Sequence, residues 1–117
     1  MRAIVESENN VYWITANKLL KLHKDEPGVA PLVLSTGHTD LSAVCGGIAA
    51  LPGETQWKLA LADAGANTVW FIDRTTNPDR RIMIASNQHE PRGVAGSGNF
   101  VYWTNRASGE ICRAPVP

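Results

Sequence analysis

Cysteine is scarce in this 117-residue chain, and neither sign of charge is in excess. Cys45 and Cys112 are its two cysteines, and they form neither a C-x-x-C pair nor a zinc-binding spacing. They fit two small buried apolar side chains, with a disulfide as the alternative. Eleven Lys and Arg balance eleven Asp and Glu, so the formal net charge is zero. That balance argues against a nucleic-acid-binding domain and against a polybasic membrane anchor.

Long apolar runs are missing as well. No stretch approaches the roughly 18 apolar residues that a membrane-spanning helix needs, so no membrane partner is expected. Residues 1–8 contain acids where a secretory signal has its apolar region, which predicts a cytoplasmic location. No phosphate-binding glycine loop is found, so no cofactor is expected, with a divalent metal as the alternative. No G-x-S-x-G nucleophile elbow is found either.

What the sequence has instead is short runs of β-branched and aromatic residues. Val-Tyr-Trp-Ile-Thr at 11–15 is typical, and similar runs follow to residue 113 with Gly, Asn, Asp and Pro between them. Short strands separated by regular turns predict an all-β protein. Residues 15–26 also fit one face of a helix, but the preferred interpretation is a strand with Leu20 and Leu22 facing the core.

The strand pattern repeats along the chain. Trp13, Leu61 and Trp103 occupy matching places at spacings of 48 and 42 residues, near the roughly 40–45 residues of a four-stranded propeller blade. This predicts about two and a half to three four-stranded antiparallel blades. The repeat units are approximately residues 1–40, 41–89 and 90–117. Eleven strands are expected, and the first strand of the middle unit is placed at 47–51.

Two segments resemble blades of known propeller families. Residues 90–113, with Glu-Pro-Arg-Gly-Val, Val-Tyr-Trp-Thr-Asn and Gly-Glu-Ile-Cys-Arg, resemble the YWTD-type, NHL and SMP-30-like β-propellers. Residues 59–73 are similar to blades of the YVTN and streptogramin-lyase-like propellers. For the lyase and lactonase members, the resemblance implies a metal with an acid or histidine at the propeller mouth. The YWTD aspartate is Asn105 in the last unit and Thr15 in the first, so the contacts of that aspartate do not transfer.

The chain is too short to close a propeller ring. At about 42 residues per blade it supplies roughly 2.8 blades, whereas propellers typically have four to eight. We therefore expect the chain's partner to be itself, in a homodimer that completes the ring. The alternative is a piece that never closes.

Candidate ligand-binding residues fall in turns that a propeller gathers around one mouth. They are His38, Asp40, Asp63, Asn67, His89, Glu90, Asn105 and Arg106. His38 and His89 are taken as equivalent positions that, with nearby carboxylates, would hold a divalent metal or act as a base. The alternative is that these are solvated turn residues.

Two functions remain open on this evidence. The first is a β-propeller-type binding or assembly module, acting as an oligomer on an unknown ligand. The alternative is a small metal-dependent lyase or hydrolase with its site at the mouth.

The tryptophans are expected to pack inside the sheets rather than to form a stacking surface for a ligand. They are Trp13, Trp57, Trp70 and Trp103, and Trp57 is expected to be the most exposed. His23 is expected at an exposed edge.

Overall fold

The computed structural model describes residues 2–6, 10–25, 28–46, 58–74, 78–97 and 99–117. Within these segments the protein is all-β, and no helix is long and apolar enough to cross a membrane. The strands are β1 (Ala3–Glu6), β2 (Asn10–Ile14), β3 (Leu19–His23), β4 (Leu32–Ser35), β5 (Leu41–Cys45), β6 (Lys58–Asp63), β7 (Thr68–Asp73), β8 (Arg80–Ala85), β9 (Pro91–Ser97), β10 (Phe100–Asn105) and β11 (Glu110–Pro115).

The described strands form three antiparallel sheets that follow one another along the chain. The first sheet has the order β1-β2-β3-β4, the second β5-β6-β7-β8, and the third β9-β10-β11. The expectation of an all-β protein with antiparallel sheets of four, four and three strands is confirmed. The three sheets do not close into a ring within one copy of the chain.

The second sheet lies between the other two and is buried on both faces. Leu59 and Leu61 of β6 pack with Tyr12 of the first sheet, whereas Ala60 packs with Trp103 of the third. Successive side chains of a strand point to opposite faces, so the apolar run of β6 serves two interfaces. Full burial of a leucine contributes roughly 1.5–3 kcal/mol, which makes these interfaces the main source of stability.

The first strands of the three sheets lie next to one another. β5 contacts β1 and β2 on one side, and β9 contacts β5 and β6 on the other. The outer strands are more open, since Leu32 and Val33 of β4 and Met83 of β8 are about half exposed. The sheets are therefore closest at their first strands.

The segment after β2 corrects two expectations. Residues 15–25 contain a turn and β3, with no helix. The prediction that Leu20 and Leu22 face the core is wrong, because Leu20 pairs with Trp13 on the outer face while Leu19 is fully buried. His23 is partly buried and lies in an internal strand, so the expected exposed edge position is also wrong.

Two further expectations fall partly or wholly outside the described residues. The first strand of the middle sheet is β5 at Leu41–Cys45, so its predicted position at 47–51 is wrong, and residues 47–51 lie outside the described ranges. Trp57 also lies outside the described ranges. Trp103 is buried, and Trp13 and Trp70 are partly buried within strands.

Candidate functional site

The turns between second and third strands and the loops between sheets meet at one end of the molecule, which we call the loop end. It comprises residues 15–18, 36–40, 64–67, 86–90 and 106–109. Backbone hydrogen bonds join these segments: Leu41 donates to the carbonyl of Ala16 (2.8 Å), and Gln88 to that of Asn67 (2.9 Å). The loop end is thus a connected polar surface built from all three sheets.

Asp63 holds the first part of the loop end together. Its side chain is buried at the end of β6, and its two oxygens accept the N–H groups of Thr39 (2.9 Å), Asp40 (2.8 Å), Gly65 (3.1 Å) and Ala66 (3.2 Å). A carboxylate that accepts several backbone N–H groups is a strong structural acceptor. Asp63 therefore fixes the inter-sheet loop onto the turn, and little of its coordinating capacity is left for a metal.

His38 lies beside Asp63 in a buried polar network. Its Nε2 atom is 2.6 Å from Oγ of Ser35, and its Nδ1 atom is 3.8 Å from Oδ2 of Asp63. Arg81 donates from Nη1 to the same Ser35 oxygen at 2.9 Å, and the His38 ring meets Trp70 edge to face at 5.9 Å. Burial lowers the pKa of His38, and Arg81 lowers it further while Asp63 opposes the shift.

Protonation of His38 is expected to destabilise the protein at mildly acidic pH. Because the folded-state pKa lies below 6.5, the unfolded chain binds the proton first as the pH falls. The stability contributed by neutral His38 is therefore complete above pH 6.5 and lost below it. When the pH is lowered from about 7.5 to about 5.5, the free energy of unfolding measured in urea should fall less for His38→Gln than for the wild type. Equal losses would contradict this role.

Asn105 anchors the second part of the loop end. This buried amide accepts the N–H of His89 at Oδ1 (3.3 Å) and donates from Nδ2 to Oε1 of Gln88 (3.0 Å). Trp103 donates to the same Gln88 oxygen from Nε1 at 2.8 Å. Asn67 accepts the N–H of Glu90 at Oδ1 (3.0 Å). An amide thus takes the place in the third sheet that Asp63 has in the second.

The structure divides the eight predicted site residues between two clusters. The first contains His38, Asp40 and Asp63, and the second contains Asn67, His89, Glu90, Asn105 and Arg106. Arg2 forms an ion pair with Asp40 in the first cluster, and Nε of Arg106 is 4.0 Å from Oε2 of Glu90 in the second. In the described segments, no three His, Cys, Asp or Glu side chains are grouped to hold a metal ion.

The expected equivalence of His38 and His89 is not what the contacts show. The N–H of Thr39 binds Asp63 and that of His89 binds Asn105, so His89 corresponds to Thr39. His38 then corresponds to Gln88, at an offset of 50 residues rather than 51. His89 is exposed, whereas His38 is buried.

A cavity of about 590 Å³ adjoins the first cluster and was not predicted from sequence. It lies between β4 and β8 and is lined by Leu32, Val33, Leu34, Ser35, Thr36, Arg74, Pro78, Asp79 and Arg81. Its wall is apolar along β4 and carries two guanidinium groups. Ser35 and Arg81 were missed because only the folded chain brings β4 and β8 together; their hydrogen bond spans 46 residues.

Both cysteines are free thiols in the contact between the second and third sheets. Burial raises the pKa of Cys45 to about 11. At pH 8 roughly a thousandth of this thiol is ionised, so Cys45 should react far more slowly with a maleimide in the folded than in the urea-unfolded protein. The check is mass spectrometry of labelled peptides, and equal labelling rates at Cys45 would contradict its burial.

The loop end therefore combines a buried Ser35–His38 hydrogen bond beside Asp63, a buried amide network and several exposed polar groups. His89 and Arg106 are exposed on its outer surface, and Glu90 is partly exposed. No protein-family model matches the chain, and no curated protein and no solved structure shows significant similarity to it.

Proposed function

We propose that this protein is a binding or assembly module, in which two copies form a six-sheet β-propeller with the loop ends around its mouth. The observation that carries the proposal is a pair of faces at the two ends of the three-sheet stack that no other described sheet covers, which we call unfilled. By strand register, each unfilled face occupies the positions of a face that is buried between sheets inside the chain.

The first unfilled face belongs to the first sheet, and we call it the leading face. It consists of Ile4, Val11, Trp13, Leu20 and Leu22, which share one side of β1–β3 by strand register. The matching residues of the second sheet are Val44, Leu59, Leu61, Trp70 and Ile72, and all five pack against the first sheet. Those of the third sheet are Val94, Val101, Trp103, Cys112 and Ala114, which pack against the second.

The second unfilled face belongs to the third sheet, and we call it the trailing face. Its members are Ala95, Tyr102, Thr104, Ile111 and Arg113. In the second sheet the corresponding positions are Cys45, Ala60, Ala62, Val69 and Phe71, of which Cys45, Ala60, Val69 and Phe71 pack with the third sheet. A second copy offers the leading face that would continue this order.

Shared irregularities support the matching of positions. The pairing of first and second strands shifts between Leu41 and Ala43 in the second sheet, and again between Thr104 and Asn105 in the third. The pairing of third and fourth strands shifts between Leu19 and Leu20, and likewise between Val69 and Trp70. β-Bulges change the direction of a strand, so shared bulges favour a common sheet shape.

Exposure gives the reason for association. Ile4 on the leading face is 55% exposed, and Ile111 on the trailing face is 77% exposed. All five residues of the leading face are apolar, and exposed apolar patches mark interaction sites; the trailing face combines the apolar Ile111 with polar Thr104 and Arg113. In a two-copy ring, each leading face meets the partner's trailing face, so the contact forms twice.

A cross-link tests this arrangement. The variant carries Leu20→Cys and Ile111→Cys in a Cys45→Ala, Cys112→Ala background and is treated with a short bis-maleimide. We expect a covalent product of two chains, because Leu20 and Ile111 belong to opposite faces. The variants with only one of the two new cysteines should stay monomeric on a denaturing gel. A ladder of longer products, which open head-to-tail chains would give, or no product at all, would contradict the closed ring.

A hydrolase or lyase remains the second candidate, and one observation favours it. Ser35 Oγ lies within hydrogen-bond distance of Nε2 of His38 and lines the cavity between β4 and β8. This is the contact that a serine nucleophile makes with its base. Labelling by a fluorophosphonate that is lost in Ser35→Ala would support a serine hydrolase. A stoichiometric metal in the purified protein would support the metal-dependent form. If neither the label nor the metal is found, the enzyme candidate is rejected and the binding module stands.

A further inference from the structure

We infer that Lys24 of one copy binds the hydroxyl group of Tyr102 of the other, and that this contact orients the two faces. The inference rests on the proposed two-copy assembly and adds the residue pair that selects its geometry. Its basis is a polar contact that already joins the first and second sheets.

Arg74, directly after β7, provides that contact within the chain. Its Nη1 atom donates to the hydroxyl of Tyr12 at 3.2 Å, and its guanidinium carbon lies 5.9 Å from the centre of the tyrosine ring. Asp79 accepts from Nε of Arg74 at 3.1 Å. A carboxylate thus orients a cation of the second sheet onto a tyrosine of the first.

Strand register places Lys24 in the position of Arg74. Trp13 pairs with Leu20 in the first sheet as Leu61 pairs with Trp70 in the second. Counting four residues on from Leu20 reaches Lys24, and four residues on from Trp70 reaches Arg74. Lys24 is therefore the cation that the first sheet would extend to a preceding sheet.

The same register places Tyr102 in the position of Tyr12. Each tyrosine directly precedes the tryptophan by which its sheet is aligned, Trp13 or Trp103. Tyr12 faces the second sheet, whereas Tyr102 lies on the trailing face. A second copy is thus the source of the sheet that would cover Tyr102.

The surroundings of both residues fit the contact. Nζ of Lys24 lies 3.4 Å from Oε2 of Glu6, as Arg74 lies beside Asp79. The Tyr102 ring is partly buried beside Phe100, with 6.3 Å between ring centres, and Arg113 lies 4.5 Å from the centre of the Phe100 ring. The Lys24–Glu6 pair would therefore meet a face carrying a hydroxyl and a guanidinium, which complements both of its charges.

Conservative variants measure the contact. Tyr102→Phe removes only the hydroxyl, and Lys24→Met removes the charge while it keeps most of the stem. Each should raise the dissociation constant of the dimer by about 5- to 30-fold, because the ring contains the contact twice. The double variant should be no weaker than either single variant. Arg80→Met, at the exposed start of β8 and outside both end faces, is the matched control and should leave the dissociation constant unchanged.

Exchanged charges give the sharper test. Lys24→Glu and Tyr102→Lys should each weaken self-association, whereas their equimolar mixture should form a heterodimer, since each interface then contains a favourable pair. A mixture that associates no more tightly than either variant alone would overturn the inference. If the wild type is a dimer and Tyr102→Phe does not change its dissociation constant, the inference is overturned as well, but the proposed assembly is not. A wild-type protein with the mass of one chain would overturn the assembly instead.

Discussion

Asp63→Ala is expected to lower the free energy of unfolding by about 3–5 kcal/mol, a large part of the roughly 5–15 kcal/mol of an ordinary domain. The carboxylate is 1% exposed and accepts four backbone N–H groups, from Thr39, Asp40, Gly65 and Ala66. Hydrogen bonds to a charged group contribute about 1.5–3 kcal/mol each, and water entering the space would restore part of the loss. Urea denaturation at neutral pH measures the change.

Asp63→Asn is the matched control for this prediction. The amide keeps one acceptor oxygen, and Asn105 already anchors the corresponding loop in the third sheet through Oδ1. We expect Asp63→Asn to keep at least half of the stability that Asp63→Ala loses. An alanine variant within about 1 kcal/mol of the wild type would show that the four N–H groups find other acceptors, and would contradict the anchoring role.

Ile111→Glu is expected to raise the dissociation constant of the dimer more than about a hundredfold while it leaves the single chain folded. Ile111 is 77% exposed on the trailing face, so a charge there is solvated in one copy alone. In the two-copy ring the carboxylate would be buried twice against the leading face without a partner, which costs several kcal/mol each time. Analytical ultracentrifugation over a concentration series measures this constant.

Met83→Glu is the matched control for Ile111→Glu. Met83 is also a large apolar side chain, 49% exposed, but it lies on β8 outside both end faces. The Met83→Glu variant should therefore leave the dissociation constant of the dimer unchanged. Equal weakening by the two variants would show a general effect of added charge, and no weakening by Ile111→Glu would place the interface elsewhere.

Local sequence patterns predicted the sheets more reliably than they predicted which way side chains point. The run at 11–15 indicated β2, because alternating β-branched and aromatic residues suit a half-buried strand. The orientation of β3 was wrong, because Leu19, Leu20 and Leu22 are all apolar and only pairing with β2 decides which of them is buried. In a stack of sheets both faces are apolar, so alternation loses its meaning.

The candidate site was predicted in its location along the chain but not in its chemistry. Polar turn residues marked the loop segments, yet the partners of His38 come from β4, β6 and β8 through contacts between segments far apart in sequence. The one-residue error in matching His38 to His89 arose because Ser35 and Ser86 each precede a histidine by three residues, so the two loops look alike in sequence. Only the backbone bonds to Asp63 and Asn105 set the offset.

The molar mass of the wild-type chain in solution tests the central claim most directly. Sedimentation equilibrium between about 1 and 100 µM, where interfaces of standard size are occupied, should give a single species of twice 12.7 kDa. It should not grow further as concentration rises, because a closed ring leaves no unfilled face. A mass of one chain throughout this range, or a mass that keeps increasing with concentration, would contradict the two-copy ring.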